Sequence, residues 1–311
     1  MSNKTQRVQE WRLHVGAHKT ATTHLQDTLE LLRAELLCKE VDFISNRQIR
    51  ALNLIDGGLK PVIRGRGWSL FRNTYPAQAF ARYAISRAVN PLRQNATTVA
   101  ISEENLLGDS RGLLTQTFYP DAAIRLKPFE TLARSAELHI FLSVRSFDEI
   151  IPAAYAQVLK DKLFRPGTDI SFEPIGAKFR AKSPSWTELI RRLRVALPSA
   201  HLKVWRFEDY LDYKSLVLTE LCGVRVDCET VLPPPRLTQT PSHGAIKRME
   251  ELDSSLPIEE YQSAIEEIIK TDTDRGKFRP FTDEETRRLR HAYDEDLREL
   301  EETFPGVLLM F

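Results

Sequence analysis

The stretch HVGAHKTATTHLQ, residues 14–26, is the part of this sequence that decides the fold. A short apolar run ends at Gly16, a polar turn carries Lys19, and a helical leucine pattern follows. Backbone N–H groups at a helix N-terminus bind anions, and nearby hydroxyl and ammonium groups add hydrogen-bond donors. We therefore expect a phosphate-binding turn at Gly16, Lys19, Thr20, Ala21, Thr22 and Thr23. A plain threonine N-cap beside a solvent-exposed lysine is the alternative interpretation.

The turn differs from a Walker A loop, which has four residues between its first glycine and its Gly-Lys pair. Here only Ala17 and His18 separate Gly16 from Lys19, and the residue before the lysine is histidine. The spacing therefore disfavours a nucleoside triphosphatase, while a related nucleotide-binding turn remains consistent with it.

Outside this turn, strand-like and helix-like segments alternate. Short apolar runs, typical of strands buried on both faces, occur at residues 12–16, 41–45, 97–102, 138–144 and 202–207. Helical patterns occur at residues 22–37, 148–160 and 186–197. The alternation predicts an α/β fold, a three-layer sandwich around a central parallel sheet.

The C-terminal part has a different pattern. Three consecutive prolines within residues 232–237 predict an extended connection. Helical patterns follow at residues 245–253, 258–270 and 283–304, and Thr282 with Glu285 forms a capping-box sequence at the start of the last one. We predict one α/β domain over residues 1–311, with a helical extension at residues 236–311.

Composition excludes several classes of protein. The 311 residues carry 44 Lys and Arg against 43 Asp and Glu, a net charge of +1, which disfavours binding to nucleic acid or to a membrane surface. The three cysteines have no metal-ligand spacing and suit a reducing compartment. The first residues lack the apolar core of a signal peptide, and no apolar run is long enough to span a bilayer. We expect a soluble, cytoplasmic protein without an integral membrane segment.

Five segments resemble sulfotransferases that use 3′-phosphoadenosine-5′-phosphosulfate (PAPS), and the overall look is that of bacterial sulfotransferase-like proteins. Residues 14–26 resemble the 5′-phosphosulfate loop of that family, Gly-x-x-Lys-Thr-Gly-Thr-Thr. Residues 142–145 (LSVR), with Tyr155 ten positions after Arg145, resemble its 3′-phosphate motif. The less specific matches are AISEEN, VWRFED and RGKFRP, at residues 100–105, 204–209 and 275–280.

The resemblance implies a P-loop-NTPase-like sulfotransferase fold and transfer of a sulfuryl group from PAPS without a metal. The acceptor would be a hydroxyl, or less often an amine, of a carbohydrate, glycolipid or small metabolite. Lys19 would stabilise the leaving 5′-phosphate, and Glu104 would be the general base, with Glu103 and His18 as the alternatives. Arg145 would bind the 3′-phosphate, and an ion pair with the following helix is the alternative for its side chain.

Two positions depart from the family pattern. Ala21 stands where the loop has glycine, and Ala153 stands where a serine binds the 3′-phosphate. Ser146, Lys277 and Arg279 are the candidates to replace that serine. If the departures disable the site, the chain is an inactive sulfotransferase-like nucleotide-binding protein. A small-molecule kinase of related architecture is the other alternative.

A basic insertion is predicted at residues 46–95. From residue 57 to residue 102 there are seven cationic residues and no Asp or Glu. Arg64, Arg66 and Trp68 are the candidates for contact with the acceptor, because guanidinium groups bind anions and glycines beside them allow close approach. A solvated basic surface is the alternative interpretation.

Overall fold

The computed structural model describes residues 7–51, 92–94, 96–164, 170–228, 240–274 and 276–311, with residues 79, 83, 85, 89 and 231. Most of the basic insertion, including Arg64, Arg66 and Trp68, lies outside the described residues. Their assignment as acceptor contacts therefore stays a prediction.

The core of the fold is a sheet of five parallel strands, in the order β2-β3-β1-β4-β5. The strands are β1 Glu10–His14, β2 Val41–Ile44, β3 Thr98–Ser102, β4 Glu137–Val144 and β5 His201–Arg206. The predicted α/β class and the predicted parallel sheet are therefore confirmed. Every strand predicted from an apolar run is present, with bounds that differ by one or two residues.

Helices connect and follow these strands. In chain order they are α1 Thr22–Leu31, α2 Arg33–Cys38, α3 Asn46–Ala51, α4 Ala122–Leu126, α5 Phe147–Lys160, α6 Glu173–Ala181, α7 Trp186–Ala196, α8 Phe207–Tyr210, α9 Lys214–Cys222, α10 His243–Glu250, α11 Ile258–Thr271 and α12 Asp283–Thr303. Short 3₁₀ turns occupy Glu104–Leu106, Ser110–Leu114 and Lys127–Arg134.

Helices cover both faces of the sheet, which is compatible with a three-layer sandwich. Side chains alternate along each strand, so that Ile140 and Phe141 of β4 belong to two different apolar clusters. Helices α1, α2 and α9 contribute leucines to one cluster, and α5, α7 and α12 contribute to the other. Burial on both faces explains why the strands are nearly continuous apolar runs.

One predicted helix is divided in two. The leucine pattern of residues 22–37 predicts one helix, but α1 ends at Leu31 and α2 begins at Arg33. The break costs little apolar burial, because Leu29 before it and Leu36 after it remain in the same cluster.

The C-terminal helices α10, α11 and α12 pack into the same apolar cluster as one face of the sheet. The capping box predicted at Thr282 and Glu285 is present, with both reciprocal hydrogen bonds. Residues 307–309 then pair with β5 through hydrogen bonds to Val204. Among the helices in the described part of the chain, none is both long enough and apolar enough to cross a membrane.

The strand order places a crevice at the carboxyl edge of the sheet. Strands β1 and β4 are neighbours, but the helices that follow them, α1 and α5, pack on opposite faces. Open α/β sheets bind ligands at such a point, where consecutive connections leave in opposite directions.

Candidate functional site

A cleft of about 760 Å³ lies at this edge of the sheet. Its volume is within the range of ordinary small-molecule sites. It is lined by the loop after β1, the first turns of α1, the turn after β3, the C-terminal part of α5 and the start of α8. The lining residues that carry the argument below are His18, Lys19, Ala21, Thr22, Thr23, Arg50, Glu104, Asn105, Arg145, Gln157 and Phe207.

The loop after β1 leads into the N-terminus of α1, and residues of both line the cleft. Lys19 and Ala21 both have left-handed backbone conformations, with φ of 64° and 60°. Ala21 is the N-cap of α1, and no side chain of the described residues caps the helix. The N–H groups of the first turn, including those of Thr22 and Thr23, therefore have no intrahelical acceptor and remain available to an anion.

The backbone at Ala21 has the left-handed conformation that glycine adopts without strain. A left-handed conformation costs an L-residue with a side chain about 1–2 kcal/mol relative to its preferred regions. The chain adopts that conformation with alanine, so this departure from the family pattern leaves the turn intact.

Two further loop residues have structural positions. The Thr20 side chain is buried, and its hydroxyl donates a 2.7 Å hydrogen bond to the Ala17 carbonyl instead of facing the cleft. Gly16 has a φ of 113°, and a Cβ atom there would lie 3.2 Å from the Cβ of Glu104. Both residues therefore support the conformation of the loop from its buried side.

Replacing Gly16 with alanine is expected to destabilise the protein. The change adds backbone strain and a close contact with Glu104, and such strain costs about 1–3 kcal/mol. Urea unfolding should show this loss for G16A. Gly306 is the matched control, because its φ is also positive, at 74°, but no atom lies within 4 Å of an added Cβ. If G306A costs as much as G16A, the contact with Glu104 is not responsible.

Lys19 points toward α5 within the cleft. Its Nζ donates a 3.1 Å hydrogen bond to Oε1 of Gln157. Burial, together with the nearby cations Lys160 and Arg145, lowers the pKa of Lys19 to about 8. An anion bound in the cleft would stabilise the charged ammonium and raise its pKa again, because its negative charge would offset the effects of burial and of the neighbouring cations.

Arg145 adds a second cation, at the end of β4. Its guanidinium lies 4.4 Å from the centroid of the Phe207 ring, donates to the Lys19 carbonyl at 2.9 Å and pairs with Glu149 at 2.9 Å. The ion pair with the helix after β4, which the sequence left open as the alternative role of the Arg145 side chain, is therefore present. The guanidinium Nε is buried and has no hydrogen-bond partner among the described residues. The Arg145 side chain lines the cleft, but this nitrogen itself is buried.

The candidate replacements for the missing serine lie outside the cleft lining. The Ser146 hydroxyl is buried and donates to Asp148, while its backbone N–H donates to Glu208 at 2.9 Å. Lys277 and Arg279 are exposed on either side of the buried Phe278. Their proposed phosphate contacts stay predictions without geometric support. Ala153 is buried one helical turn before Gln157, on the same face of α5.

The two consecutive glutamates have different environments. Glu103 is fully buried, and both of its oxygens accept hydrogen bonds from Arg50 at 2.8 Å. Glu104 lines the cleft, with Oε1 accepting from Arg50 at 3.0 Å and Oε2 accepting from Gln26 at 2.8 Å. Of the two, only Glu104 is placed where a ligand can reach it.

The two carboxyl groups also differ in their pKa. Burial raises the pKa of Glu103, which its hydrogen bonds with Arg50 only partly offset. Burial acts in the same direction on Glu104, but the opposing effects of His18, Arg50 and the Gln26 amide outweigh it. The pKa of Glu104 therefore lies below its ordinary value, and the group is a carboxylate at neutral pH.

His18 is held by a network on the same side of the cleft. Its Nδ1 lies 2.9 Å from the Tyr119 hydroxyl, and its Nε2 lies 3.1 Å from Oδ1 of Asn105. Burial lowers the pKa of His18, so the ring is neutral at neutral pH. With the Asn105 oxygen facing Nε2, the proton is on Nε2, and His18 serves as a donor.

His14, the last residue of β1, is buried in the core. It stacks on Trp205 with ring centroids 5.3 Å apart, and burial lowers its pKa to about 4.

Sequence reasoning gave no role to several residues in or beside the cleft, although Gln26 and Asn105 lie within the quoted segments 14–26 and 100–105. The predicted site residues form hydrogen bonds with side chains from distant parts of the chain. Glu104 accepts from Arg50 and Gln26, His18 contacts Asn105, and Lys19 donates to Gln157. Only the position of Gln26, one helical turn after Thr22, carried a local signal, because that spacing returns a side chain to the same helix face.

Within the described residues, no three His, Cys, Asp or Glu side chains are grouped so as to hold a metal ion. No model of a known protein family matches the chain, and no curated protein has a significantly similar sequence.

Proposed function

We propose that this protein is a PAPS-dependent sulfotransferase that acts on a hydroxyl group of a carbohydrate, glycolipid or small metabolite. One observation carries the proposal: Lys19 and the Glu104 carboxylate line the same cleft, Lys19 against α5 and Glu104 against α1 and α3. A cation for a leaving phosphate and a base for an acceptor are the two groups that sulfuryl transfer to a hydroxyl needs.

The loop and β4 fit the donor nucleotide. The donors in the cleft lining are the uncapped N–H groups at Thr22 and Thr23, the Lys19 ammonium and the Arg145 guanidinium, as an anionic phosphosulfate requires. The order of the strands, with the binding loop after the central β1, supports a P-loop-like sulfotransferase fold.

PAPS, when bound, supplies a sulfuryl group attached to a good leaving group. The protein contributes position and charge, as in phosphoryl transfer. Lys19 lies where it can neutralise the negative charge that develops on the 5′-phosphate as the sulfur–oxygen bond breaks. Glu104 takes the proton of the acceptor hydroxyl as its oxygen bonds to sulfur, and His18 lines the same cleft beside it.

Calorimetric titration with 3′-phosphoadenosine 5′-phosphate, the product nucleotide, tests the proposal. We expect micromolar binding that Lys19→Ala and Arg145→Ala each weaken by about tenfold or more. A parallel titration with ATP and Mg²⁺ is the control. Absence of binding to the bisphosphate contradicts the proposal, and preferential binding of ATP with Mg²⁺ favours the kinase. Binding without transfer to any hydroxyl acceptor favours the inactive nucleotide-binding protein.

Proton uptake on binding is a further prediction. Because the pKa of Lys19 in the free protein is about 8, part of the population has a neutral lysine at pH 8.5. A phosphate anion stabilises the protonated form, so binding at pH 8.5 should take up protons and affinity should fall as pH rises through 8. Titration in two buffers of different ionisation enthalpy measures the uptake. In Lys19→Met the proton uptake should disappear. Uptake that persists in this variant would belong to another group.

A further inference from the structure

Arg50 joins the two consecutive glutamates. Its Nε and one terminal nitrogen donate to the two oxygens of Glu103 at 2.8 Å, and that same terminal nitrogen also donates to Oε1 of Glu104 at 3.0 Å. Arg50 lies in the last turn of α3, more than fifty positions before either glutamate. A planar guanidinium with a fixed fork of donors can satisfy such an arrangement, and a single ammonium cannot.

Glu103 anchors this guanidinium. Its side chain has no exposed surface, and Oε1 also accepts the N–H of Asn105 at 2.9 Å. Arg50 and the Asn105 N–H together supply three donors to these two oxygens, an arrangement that favours the charged form of Glu103. A buried charge of this kind is tolerated only with a partner, which ties Arg50 firmly to one position.

Glu104 is fixed from two directions. Arg50 holds Oε1, and the Gln26 amide, itself tied to Asn46 at 2.9 Å, holds Oε2 at 2.8 Å. Each oxygen keeps a lone pair that is not used by these donors. The carboxylate is therefore restrained in orientation and still able to accept a proton from a ligand.

Among the described groups around Glu104, Arg50 is the cation that stays charged at every relevant pH. Burial lowers the pKa of both His14 and His18 and raises the pKa of Tyr119, so all three are uncharged at neutral pH. Asp109 is paired with Arg111. The titratable and charged groups that interact with this carboxylate are His14, His18, Arg50, Glu103 and Tyr119, and Asp27 and Asp109 lie elsewhere in the lining of the same cleft.

We propose that Arg50 is a positioning residue: anchored on the buried Glu103, it keeps the Glu104 carboxylate ionised and oriented into the cleft. The role of Glu104 as a base rests on the proposed function, whereas the control of its ionisation by Arg50 does not. Glu103, a candidate base from the sequence, serves in this arrangement as the anchor.

The experiment is a carboxyl ¹³C NMR titration of the full-length protein without nucleotide, with Glu104→Gln used to assign the Glu104 signal. In Arg50→Gln we expect the pKa of Glu104 to rise by at least one unit, because a charge 3.0 Å away is lost. Arg50→Lys should fall between the wild type and Arg50→Gln. Arg47→Gln is the matched control, an exposed arginine on the same helix, 3.9 Å from Asp27, and should leave the pKa unchanged.

An unchanged Glu104 pKa in folded Arg50→Gln overturns the proposal, and so does an equal rise in Arg47→Gln. If Arg50→Gln does not fold because Glu103 is left uncompensated, Arg50→Lys decides by the same titration. A rise of half a unit or more then supports the proposal, and a wild-type pKa overturns it.

The titration needs no turnover, so its outcome is independent of the proposed function. If sulfuryl transfer is measured, the acid limb of the plot of kcat against pH should move with the Glu104 pKa in Arg50→Gln. The KM for nucleotide should stay unchanged. If the Glu104 pKa does not rise in Arg50→Gln, the positioning role of Arg50 is overturned. If it rises but the wild type transfers no sulfuryl group, only the proposed function is overturned.

Discussion

Lys19→Met is expected to reduce sulfuryl transfer by about 10³-fold while weakening nucleotide binding only about tenfold. The difference arises because the charge that Lys19 neutralises grows on the leaving 5′-phosphate in the transition state, and a lost donor at such a position costs about 10²–10³-fold or more in kcat. In the ground state, the loop N–H groups and Arg145 still hold the nucleotide. Single-turnover transfer and calorimetric binding measure the two effects separately.

The same substitution should stabilise the free protein. Burial and neighbouring cations lower the pKa of Lys19 to about 8, so below pH 8 the folded state carries an ammonium that the unfolded state accommodates better. Removing that charge should raise the free energy of unfolding at pH 7 by about 1–3 kcal/mol. Lost activity together with gained stability would exclude misfolding as the cause.

Lys270→Met is the control for the loss of a positive charge, because Lys270 is exposed in the last turn of α11, away from the cleft lining. It should change neither transfer nor unfolding. Transfer by Lys19→Met within tenfold of the wild type would contradict the role given to Lys19.

Glu104→Gln is expected to reduce transfer by about 10²–10⁴-fold, the usual contribution of a general base. Nucleotide affinity should stay the same or increase slightly, because a negative charge is removed from the cleft proposed to bind the anionic nucleotide. The substitution keeps the size of the side chain and one acceptor for Arg50, so the fold should be retained.

The two substitutions thus separate the two halves of the cleft: Lys19→Met affects the leaving group and the nucleotide, and Glu104→Gln affects the acceptor alone. Glu266→Gln, on the exposed side of α11, controls for the loss of a carboxylate. If Glu104→Gln keeps transfer within tenfold, the base is another group, and His18→Asn is the next variant to measure.

The local pattern of the chain was sufficient to locate the strands, most helices and the loop between β1 and α1. Apolar runs between helical patterns predicted every strand of the sheet, and the position of Lys19 after Gly16 predicted a cation at the carboxyl edge. These features depend on periodicity and on short-range geometry, which neighbouring residues determine. The break between α1 and α2 was missed because it leaves the leucine pattern unchanged.

The choice between Glu103 and Glu104 required the tertiary structure. Strand alternation predicts that consecutive side chains point in opposite directions, but it does not say which of them faces the cleft. That depends on Arg50, which arrives from α3 and holds the two carboxylates in different environments. Similarly, the sequence offered Thr20 and Ser146 as ligand hydroxyls, and both donate to nearby protein groups instead.

The sequence by itself therefore determined the elements of this protein: a parallel α/β fold and a loop with Gly16 and Lys19 at the end of the first strand. Only the tertiary structure decided the order of the strands, the cleft at the edge of the sheet, and the contacts of Arg50, Gln26 and Gln157 with its charged groups. The physical reason is range. Periodicity records which face of an element is buried, whereas a hydrogen bond between residues 50 and 104 depends on how whole elements pack, which no local pattern encodes.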